Sequence, residues 1–182
     1  ADARWQPLRF RAAANQYPPG STCKIITLVA GLSEGVIKES EHVHCTGFLL
    51  PGRPTQFRCW IYNQYATTHD DTEDRRGQDA ERAVRNSCNI YFYRVGERLG
   101  AARLTQWFDA FGRPEGAGLI EESPAINPSA AWMRHARGRD YDTADAWNFA
   151  IGQGEVTVTP LQAANVAAAV ARGEWAPVRL LL

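Results

Sequence analysis

The 182-residue sequence has little lysine, a single methionine and a formal charge of zero. Because twenty basic side chains balance twenty acidic ones, nothing in the charge predicts a nucleic acid or an anionic membrane as a partner. No apolar run approaches the roughly 20 residues of a membrane span, and the start "ADARWQPLRF" lacks the pattern of a signal peptide. We therefore expect a soluble chain with a small, local ligand, although a segment cut from an anchored protein would have the same composition.

Cysteine is also scarce, with four residues in the whole chain. Four are too few for the framework of a disulfide-rich scaffold, and they leave the cellular compartment open. The length and the apolar content of 45% are sufficient for a real core. We expect one domain or part of one.

Most of the secondary-structure patterns in the sequence have helical periodicity. Apolar residues at spacings of three and four predict a helix from about residue 21 that ends near Gly35. Two more helices, "NIYFYRVGERLG" and "AARLTQWFDAFG", each end at a glycine. Both are expected to lie in the core.

A last helix begins in "VTPLQAANVAAAVARG". Thr159 is its predicted N-cap, Pro160 takes the first helical position and Gln162 closes a capping box. Gly173 is the predicted terminator.

The remaining segments are irregular. Residues 42–65 contain glycine and proline breaks and predict short strands or an ordered loop. The charged stretch "TTHDDTEDRRGQDAER" predicts a solvated loop that leads into a helix, and residues 112–142 predict a segment wrapped over the surface. Strand signals are weak and confined to "EVTVT" and "APVRLLL".

One of the two lysines stands at a helix start, in "YPPGSTCKIITLVAGL". Ser21 and Lys24 are three residues apart, so both side chains lie on one face and within reach of each other. That spacing suits a nucleophilic alcohol and the base that removes its proton, provided that burial lowers the pKa of the lysine. The alternative is an ordinary serine N-cap followed by a solvated lysine.

Further motifs favour the catalytic interpretation. "NSCNIYFY" places Ser87 and Asn89 in a Ser-x-Asn triplet at the head of a helix. Ser-x-x-Lys followed by such a triplet is part of the signature of penicillin-binding proteins and β-lactamases. With "FRCW" and "AIGQGEVTVTPLQAA", the motifs resemble the transpeptidase domain of class B, high-molecular-mass penicillin-binding proteins over about residues 9–172.

The resemblance implies the α/β (α+β) serine transferase fold shared with β-lactamases, and residues 1–182 would be a partial transpeptidase domain made mostly of its helical part with an incomplete sheet. By the same resemblance, Ser21 would be the acylated nucleophile and Lys24 its general base. Ser87 would pass a proton to the leaving amine, and Asn89 would hold the peptide or β-lactam amide. Cys88 would serve packing, and acyl transfer would need no cofactor.

The implied activity is that of a peptidoglycan D,D-transpeptidase that cross-links stem peptides ending in D-Ala-D-Ala and is acylated by β-lactams. The parent protein would be anchored in the bacterial inner membrane, facing the periplasm or outer surface beside a glycan polymerase. "CTG" and "FRCW" favour an elongation-type relative. A β-lactam sensor or β-lactamase is the alternative, against which "IGQG" followed by "TPLQ" argues.

The third family motif, Lys-Thr-Gly on an edge strand, is absent. The lysines are Lys24 and Lys38, and neither Arg172 nor Arg179 stands in a matching context. We expect a truncated gene product as the explanation. The alternatives are a fragment whose sheet is completed by another chain and a degenerate homologue. Since one missing oxyanion donor costs on the order of a hundredfold in rate, the chain alone would be a weak or inactive enzyme, and a scaffold role is a further alternative.

Gly152, Gln153 and Gly154 predict a turn. It either approaches the site closely from behind or only leads into the cap of the last helix. We do not assign these residues a catalytic role.

Three histidines lie near two cysteines in the sequence: His42, His44, Cys45, Cys59 and His69. Zinc accepts such ligands, although their spacing matches no standard finger, and the family resemblance only allows a metal near the site. A disulfide between Cys45 and Cys59, or free buried thiols, is the preferred interpretation, so no metal is assigned.

Overall fold

The computed structural model describes residues 9–112, 117–119 and 122–179. Within these ranges the chain forms helices joined by ordered loops, and a 3-10 turn at Gly20–Cys23 leads directly into α2. The helices are α1 (Arg11–Ala14), α2 (Lys24–Ser33), α3 (Trp60–Tyr65), α4 (His69–Thr72), α5 (Ala80–Arg85), α6 (Asn89–Leu99), α7 (Ala101–Gly112), α8 (Ala130–Arg137), α9 (Thr143–Ala150) and α10 (Pro160–Arg172).

Strand pairing in the described residues is limited to isolated antiparallel bridges. The "EVTVT" segment supplies two of them, Thr157 with Ile126 and Val158 with Tyr17. In "APVRLLL", residues 176–179 form no strand and residues 180–182 lie outside the described residues. The described residues are therefore mostly helical with few strand pairs, consistent with a partial domain, as the resemblance implied.

Helix α6 is the centre of the core and packs against α2, α7 and α9. Ile90, Tyr91 and Phe92 in its first turn are all buried. Gly96 permits the close crossing with α9, since a Cβ there would lie 2.5 Å from the Cβ of Ala150. This packing fixes the start of α6, where the Ser-x-Asn triplet lies.

The three core helices and the capped last helix are confirmed. Helix α2 is preceded by the 3-10 turn and stops at Ser33, just before Gly35. Both halves of the Thr159–Gln162 capping box form, and Gly173 takes a left-handed C-cap conformation. The amphipathic pattern and the cap residues agreed at these elements, which is why they were predictable.

Among the described residues, the short helices α1, α3 and α4 and the longer helices α8 and α9 were not predicted. Helix α3 closes the segment 42–65, which we expected to form short strands or an ordered loop. Helix α8 lies in the segment that we expected to wrap the surface, and Met133 is its buried residue. Helix α9 begins with a capping box between Asp142 and Asp145. Helix α8 is mostly exposed, and the buried apolar residues of α9, Ala146, Phe149 and Ala150, span little more than one turn. Periodicity over so few residues is weak, so the caps were the clearest sequence signal for both helices.

The charged stretch is less solvated than predicted. It contains the short helix α4, and His69 and Gln78 within it are buried. Its final residues do lead into a helix, α5. Among the described residues, no helix has both the length and the apolarity needed to cross a bilayer.

Candidate functional site

Ser21, Lys24, Ser87 and Asn89 meet in one place, which we call the Ser–Lys centre. The Lys24 ammonium donates to the carbonyl of Ser87 at 2.8 Å, to its hydroxyl at 2.9 Å and to Asn89 Oδ1 at 2.6 Å. The Ser87 hydroxyl in turn donates to Ser21 Oγ at 3.0 Å. Within the described part of the chain, Lys24 therefore reaches Ser21 through Ser87 and not by a direct hydrogen bond.

Lys24 is buried, with 3% of its surface exposed, whereas Ser21 is exposed. The Nζ atom of Lys24 lies 5.4 Å from the centre of the buried Phe92 ring. Burial lowers the pKa of Lys24 to about 8, and the thiols of Cys59, Cys88 and Cys23 oppose that shift. Near neutral pH a useful fraction of Lys24 is therefore neutral and able to accept a proton.

Ser87 has a left-handed backbone, with φ of 50°. Two backbone hydrogen bonds hold it there, from Ser87 N to Val84 O at 3.1 Å and from Cys88 N to Ala83 O at 3.0 Å. Such a conformation costs a non-glycine residue about 1 kcal/mol or more, and it is found at sites where side-chain placement matters. The kink points Ser87 towards Lys24 while the neighbouring Cys88 is buried.

Asn89 is held from both ends of its amide. Its oxygen accepts from Lys24, and its nitrogen donates to the backbone carbonyl of Arg58 at 3.0 Å. The second N–H of the amide makes no hydrogen bond to the described residues, so it is available to a ligand carbonyl. The sequence did not reveal that Arg58, in "FRCW", positions Asn89 through its main chain.

The turn at Gly152 packs directly behind Ser21. Gly20 N donates to Gly152 O at 2.9 Å, and a Cβ on Gly152 would lie 2.3 Å from Gly20 O and 2.6 Å from Cys23 Sγ. The backbone at Gly152 also has a φ of 68°. Of the two alternatives left open by the sequence, the close-approach turn is therefore the one observed.

A second group of side chains lies beside the Ser–Lys centre. The ligand atoms of Cys45, Cys59, His69 and Cys88 all lie within 4.8 Å of one another, and all four residues are buried. We call this group the thiol–imidazole cluster. All four cysteines of the chain are free, so the Cys45–Cys59 disulfide is not formed.

This arrangement corrects the predicted ligand set. His44 is largely exposed and its Nδ1 lies 2.7 Å from Asp70, while His42 Nε2 lies 3.8 Å from Asp79. Neither histidine belongs to the cluster. Cys88 does belong to it, although we had expected this residue to serve only packing; its position between Ser87 and Asn89 drew attention away from it.

The cluster has the donor chemistry of a structural zinc site. Three thiols and one imidazole form a standard tetrahedral set. His69 Nδ1 lies 3.6 Å from Cys59 Sγ, and His69 Nε2 is buried without a hydrogen-bond partner. Hydrogen bonds with the thiols of Cys45 and Cys88 lower the pKa of Cys59, while hydrogen bonds with Cys45 and Cys59 and burial raise the pKa of Cys88. The thiolate that metal binding requires is therefore favoured at Cys59.

The comparisons with known proteins agree with this geometry. The family model for the penicillin binding protein transpeptidase domain matches residues 1–181. Peptidoglycan D,D-transpeptidase MrdA of Haemophilus influenzae is 35% identical over 163 residues, which cover 88% of this chain and 24% of the relative. PbpA of Mycobacterium tuberculosis, also described as a peptidoglycan D,D-transpeptidase, is 32% identical over 167 residues, covering 92% of this chain and 31% of that protein.

Solved structures give the same result. The chain superposes on Pseudomonas aeruginosa PBP2 in complex with WCK 5153 with a TM-score of 0.80 and 31% identity, covering 93% of this chain and 37% of that one. For Helicobacter pylori PBP2 in complex with MreC the TM-score is 0.82 at 29% identity, with 97% and 31% covered. The chain spans about a quarter to a third of the curated relatives described above.

Proposed function

Because the chain belongs to the penicillin-binding protein transpeptidase domain family, we propose that it forms the nucleophile-bearing part of a peptidoglycan D,D-transpeptidase. The observation that carries the proposal is the hydrogen-bond chain from buried Lys24 through Ser87 to exposed Ser21. The substrate would be a stem peptide ending in D-Ala-D-Ala. β-Lactams would acylate the same serine.

In the first half of the reaction, Ser21 Oγ attacks the carbonyl carbon of the penultimate D-alanine. Its proton passes through the Ser87 hydroxyl to neutral Lys24. The same path then returns the proton to the departing nitrogen of the terminal D-alanine, which leaves as an amine. An ester between the peptide and Ser21 remains.

In the second half, the amine of another stem peptide attacks this ester. Its proton reaches Lys24 and then Ser21 Oγ as the ester bond breaks, so the free serine is restored and a new peptide bond links the two stems. The available N–H of Asn89 would hold the carbonyl of the bound peptide, and its contact with Arg58 keeps that N–H in place.

The proposed setting follows from the relatives. These are MrdA-type cell-wall enzymes, and we propose a periplasmic or outer-face location in a membrane-anchored parent of the elongation type. One relative is solved with MreC, and another structure shows a peptidoglycan synthase complex. We therefore propose that the parent acts beside a glycan polymerase.

The test is intact-mass spectrometry of the folded chain after incubation with a penicillin, with Ser21→Ala as the control. We expect a stable adduct on the wild-type chain and none on the variant. An adduct that hydrolyses rapidly would favour a β-lactamase. A chain that is folded by circular dichroism but takes up no penicillin would favour the scaffold alternative and overturn the proposal for this polypeptide.

The thiol–imidazole cluster supports a second proposal, that Cys45, Cys59, His69 and Cys88 hold a zinc ion. With four buried protein ligands the ion would stabilise the loops around the Ser-x-Asn triplet and would have no open position for catalysis. Metal analysis should find about one zinc per chain. Cys45→Ser should lower the zinc content, whereas His44→Ala should not. Equal losses of zinc in the two variants, or a metal-free wild type after refolding with zinc, would refute the zinc proposal.

A further inference from the structure

A polar groove begins at Asn89 and runs between the loop that precedes α3, the body of α6 and the turn after α9. Five of its lining residues have side-chain amides, one is an arginine, and none is acidic. These six are Gln56, Arg58, Asn63, Asn89, Asn148 and Gln153. Nothing in the acyl-transfer chemistry described above uses the groove beyond Asn89.

The amides are available to a ligand. Among the described residues, the side chains of Gln56, Asn63, Asn148 and Gln153 make no hydrogen bond. Each amide can both donate and accept, which matches the alternating N–H and C=O groups of an extended peptide backbone.

Arg58 provides the single charge of the groove, and its position is well fixed. Its Nε donates to the carbonyl of Pro54 at 2.6 Å, and its Cζ lies 5.6 Å from the centre of the Tyr62 ring. The Nη groups donate no hydrogen bond within the part of the chain that the structure describes. A guanidinium held in place, with unused donors and no acid among the lining residues, is suited to bind a carboxylate.

The aromatic residues of the groove argue for a peptide over a sugar. Phe57 packs edge-on against Tyr93 and Trp147, with ring centres 5.7 and 4.8 Å away. Tyr93 is only 4% exposed. Both rings that line the groove are thus engaged in packing, and only the half-buried Phe57 keeps some surface on which a sugar ring could stack.

We propose that this groove binds the stretch of stem peptide that precedes the scissile bond, with an internal carboxylate of that acidic peptide on Arg58. The inference rests on the proposed function, since it takes Ser21 as the acylated residue. Asn89 would hold the amide next to the reacting carbonyl, and the rest of the strand would extend away from Ser21 along the free amides.

The experiment measures peptide binding to the full chain carrying Ser21→Ala, so that no covalent step occurs. The probes are a synthetic acidic pentapeptide ending in D-Ala-D-Ala and the same peptide with its internal carboxylates converted to carboxamides. We expect the carboxamide peptide to bind about tenfold more weakly. Arg58→Gln keeps the backbone carbonyl that holds Asn89. This variant should bind the acidic peptide about tenfold more weakly than the wild-type arginine does, and should bind the acidic and the carboxamide peptides equally.

The matched control is Arg53→Gln, because Arg53 is an exposed arginine of the same loop that does not line the groove. It should leave the affinity for both peptides unchanged. Equal affinity for the two peptides, or equal effects of the two variants, would overturn the proposal, as would tighter binding of a peptide-free glycan fragment. Penicillin acylation of wild-type Ser21 is measured separately, so failure of the groove and failure of the acyl-transfer function give different results.

Discussion

The Ser–Lys centre and the thiol–imidazole cluster are two groups of polar side chains that share one tripeptide. Ser87 and Asn89 face Lys24, whereas Cys88 between them lies with Cys45, Cys59 and His69. The first group ends at the exposed hydroxyl of Ser21, and every member of the second is buried.

This difference separates a site proposed to move protons from one proposed to fix the local backbone. A chain of hydroxyl and amine groups that reaches the surface can exchange protons with a substrate. A sealed set of four ligands can only fix the backbone around it. Since Cys59 also follows Arg58, whose carbonyl holds Asn89, the thiol–imidazole cluster is joined to the Ser–Lys centre through two segments, residues 58–59 and 87–89.

The largest expected effect is on the acylation rate, from a variant that alters the Ser–Lys centre and leaves the thiol–imidazole cluster intact. Lys24→Ala should reduce the rate of penicillin acylation by about a thousandfold, because it removes the proton acceptor. Its zinc content should equal that of the wild type. Stopped-flow acylation and metal analysis provide the two measurements, and a parallel loss of zinc would show that the groups are not independent.

The next largest expected effect on the acylation rate comes from the turn at Gly152, behind Ser21. Gly152→Ala should slow acylation by about a hundredfold, because its Cβ would displace Gly20 and with it Ser21. Gly154→Ala is the matched control: it also has a positive φ, of 76°, but its Cβ would meet only side-chain atoms at 3.4 Å or more. Similar rates for the two variants at equal folded fraction would show that the contact with Gly20 does not position Ser21.

Removing one residue of the thiol–imidazole cluster should have a smaller effect on the rate of penicillin acylation. Cys59→Ser should lower zinc content and the melting temperature, and should slow acylation about tenfold by loosening Arg58 and Asn89. His44→Ala serves as the control, since His44 is exposed, adjoins Cys45 in the sequence and lies outside the cluster. If Cys59→Ser acylates at the wild-type rate while losing its zinc, the cluster does not support the Ser–Lys centre.

The smallest effect is that of pH. Because burial lowers the pKa of Lys24 to about 8, acylation should rise about fivefold between pH 7 and pH 8 as the amine loses its proton. The same shift makes the free energy of unfolding rise with pH between about 8 and 10.5, since the unfolded chain retains a proton that the folded chain gives up. A flat rate profile would assign the proton to another group.

The sequence predicted the Ser–Lys centre because its chemistry is local. Ser21 and Lys24 are one helical turn apart, Ser87 and Asn89 flank one residue, and each pair stands at a helix start that caps and periodicity indicate. The helix cores were predictable for the same reason.

The thiol–imidazole cluster was only half predicted, because it is built from contacts between distant segments. Cys88 lies 43 positions after Cys45 and joins it through the packing of α6, which no spacing rule describes. Local proximity misleadingly favoured His42 and His44. The groove beside Asn89 was not predicted at all, since its amides come from three separate stretches of the chain, 56–63, 89 and 148–153.

The three hydrogen bonds of Lys24 give the resting site a direction. An ammonium has three donors, and all three are used on Ser87 and Asn89. The Ser87 hydroxyl, already accepting from Lys24, therefore points its hydrogen at Ser21. Attack by Ser21 requires the opposite polarity, with each hydroxyl hydrogen turned towards the amine. Of the three acceptors, only Ser87 Oγ is able to become a donor. In the proposed mechanism, loss of one proton from Lys24 would therefore reverse both hydroxyl hydrogen bonds and prepare Ser21 to react.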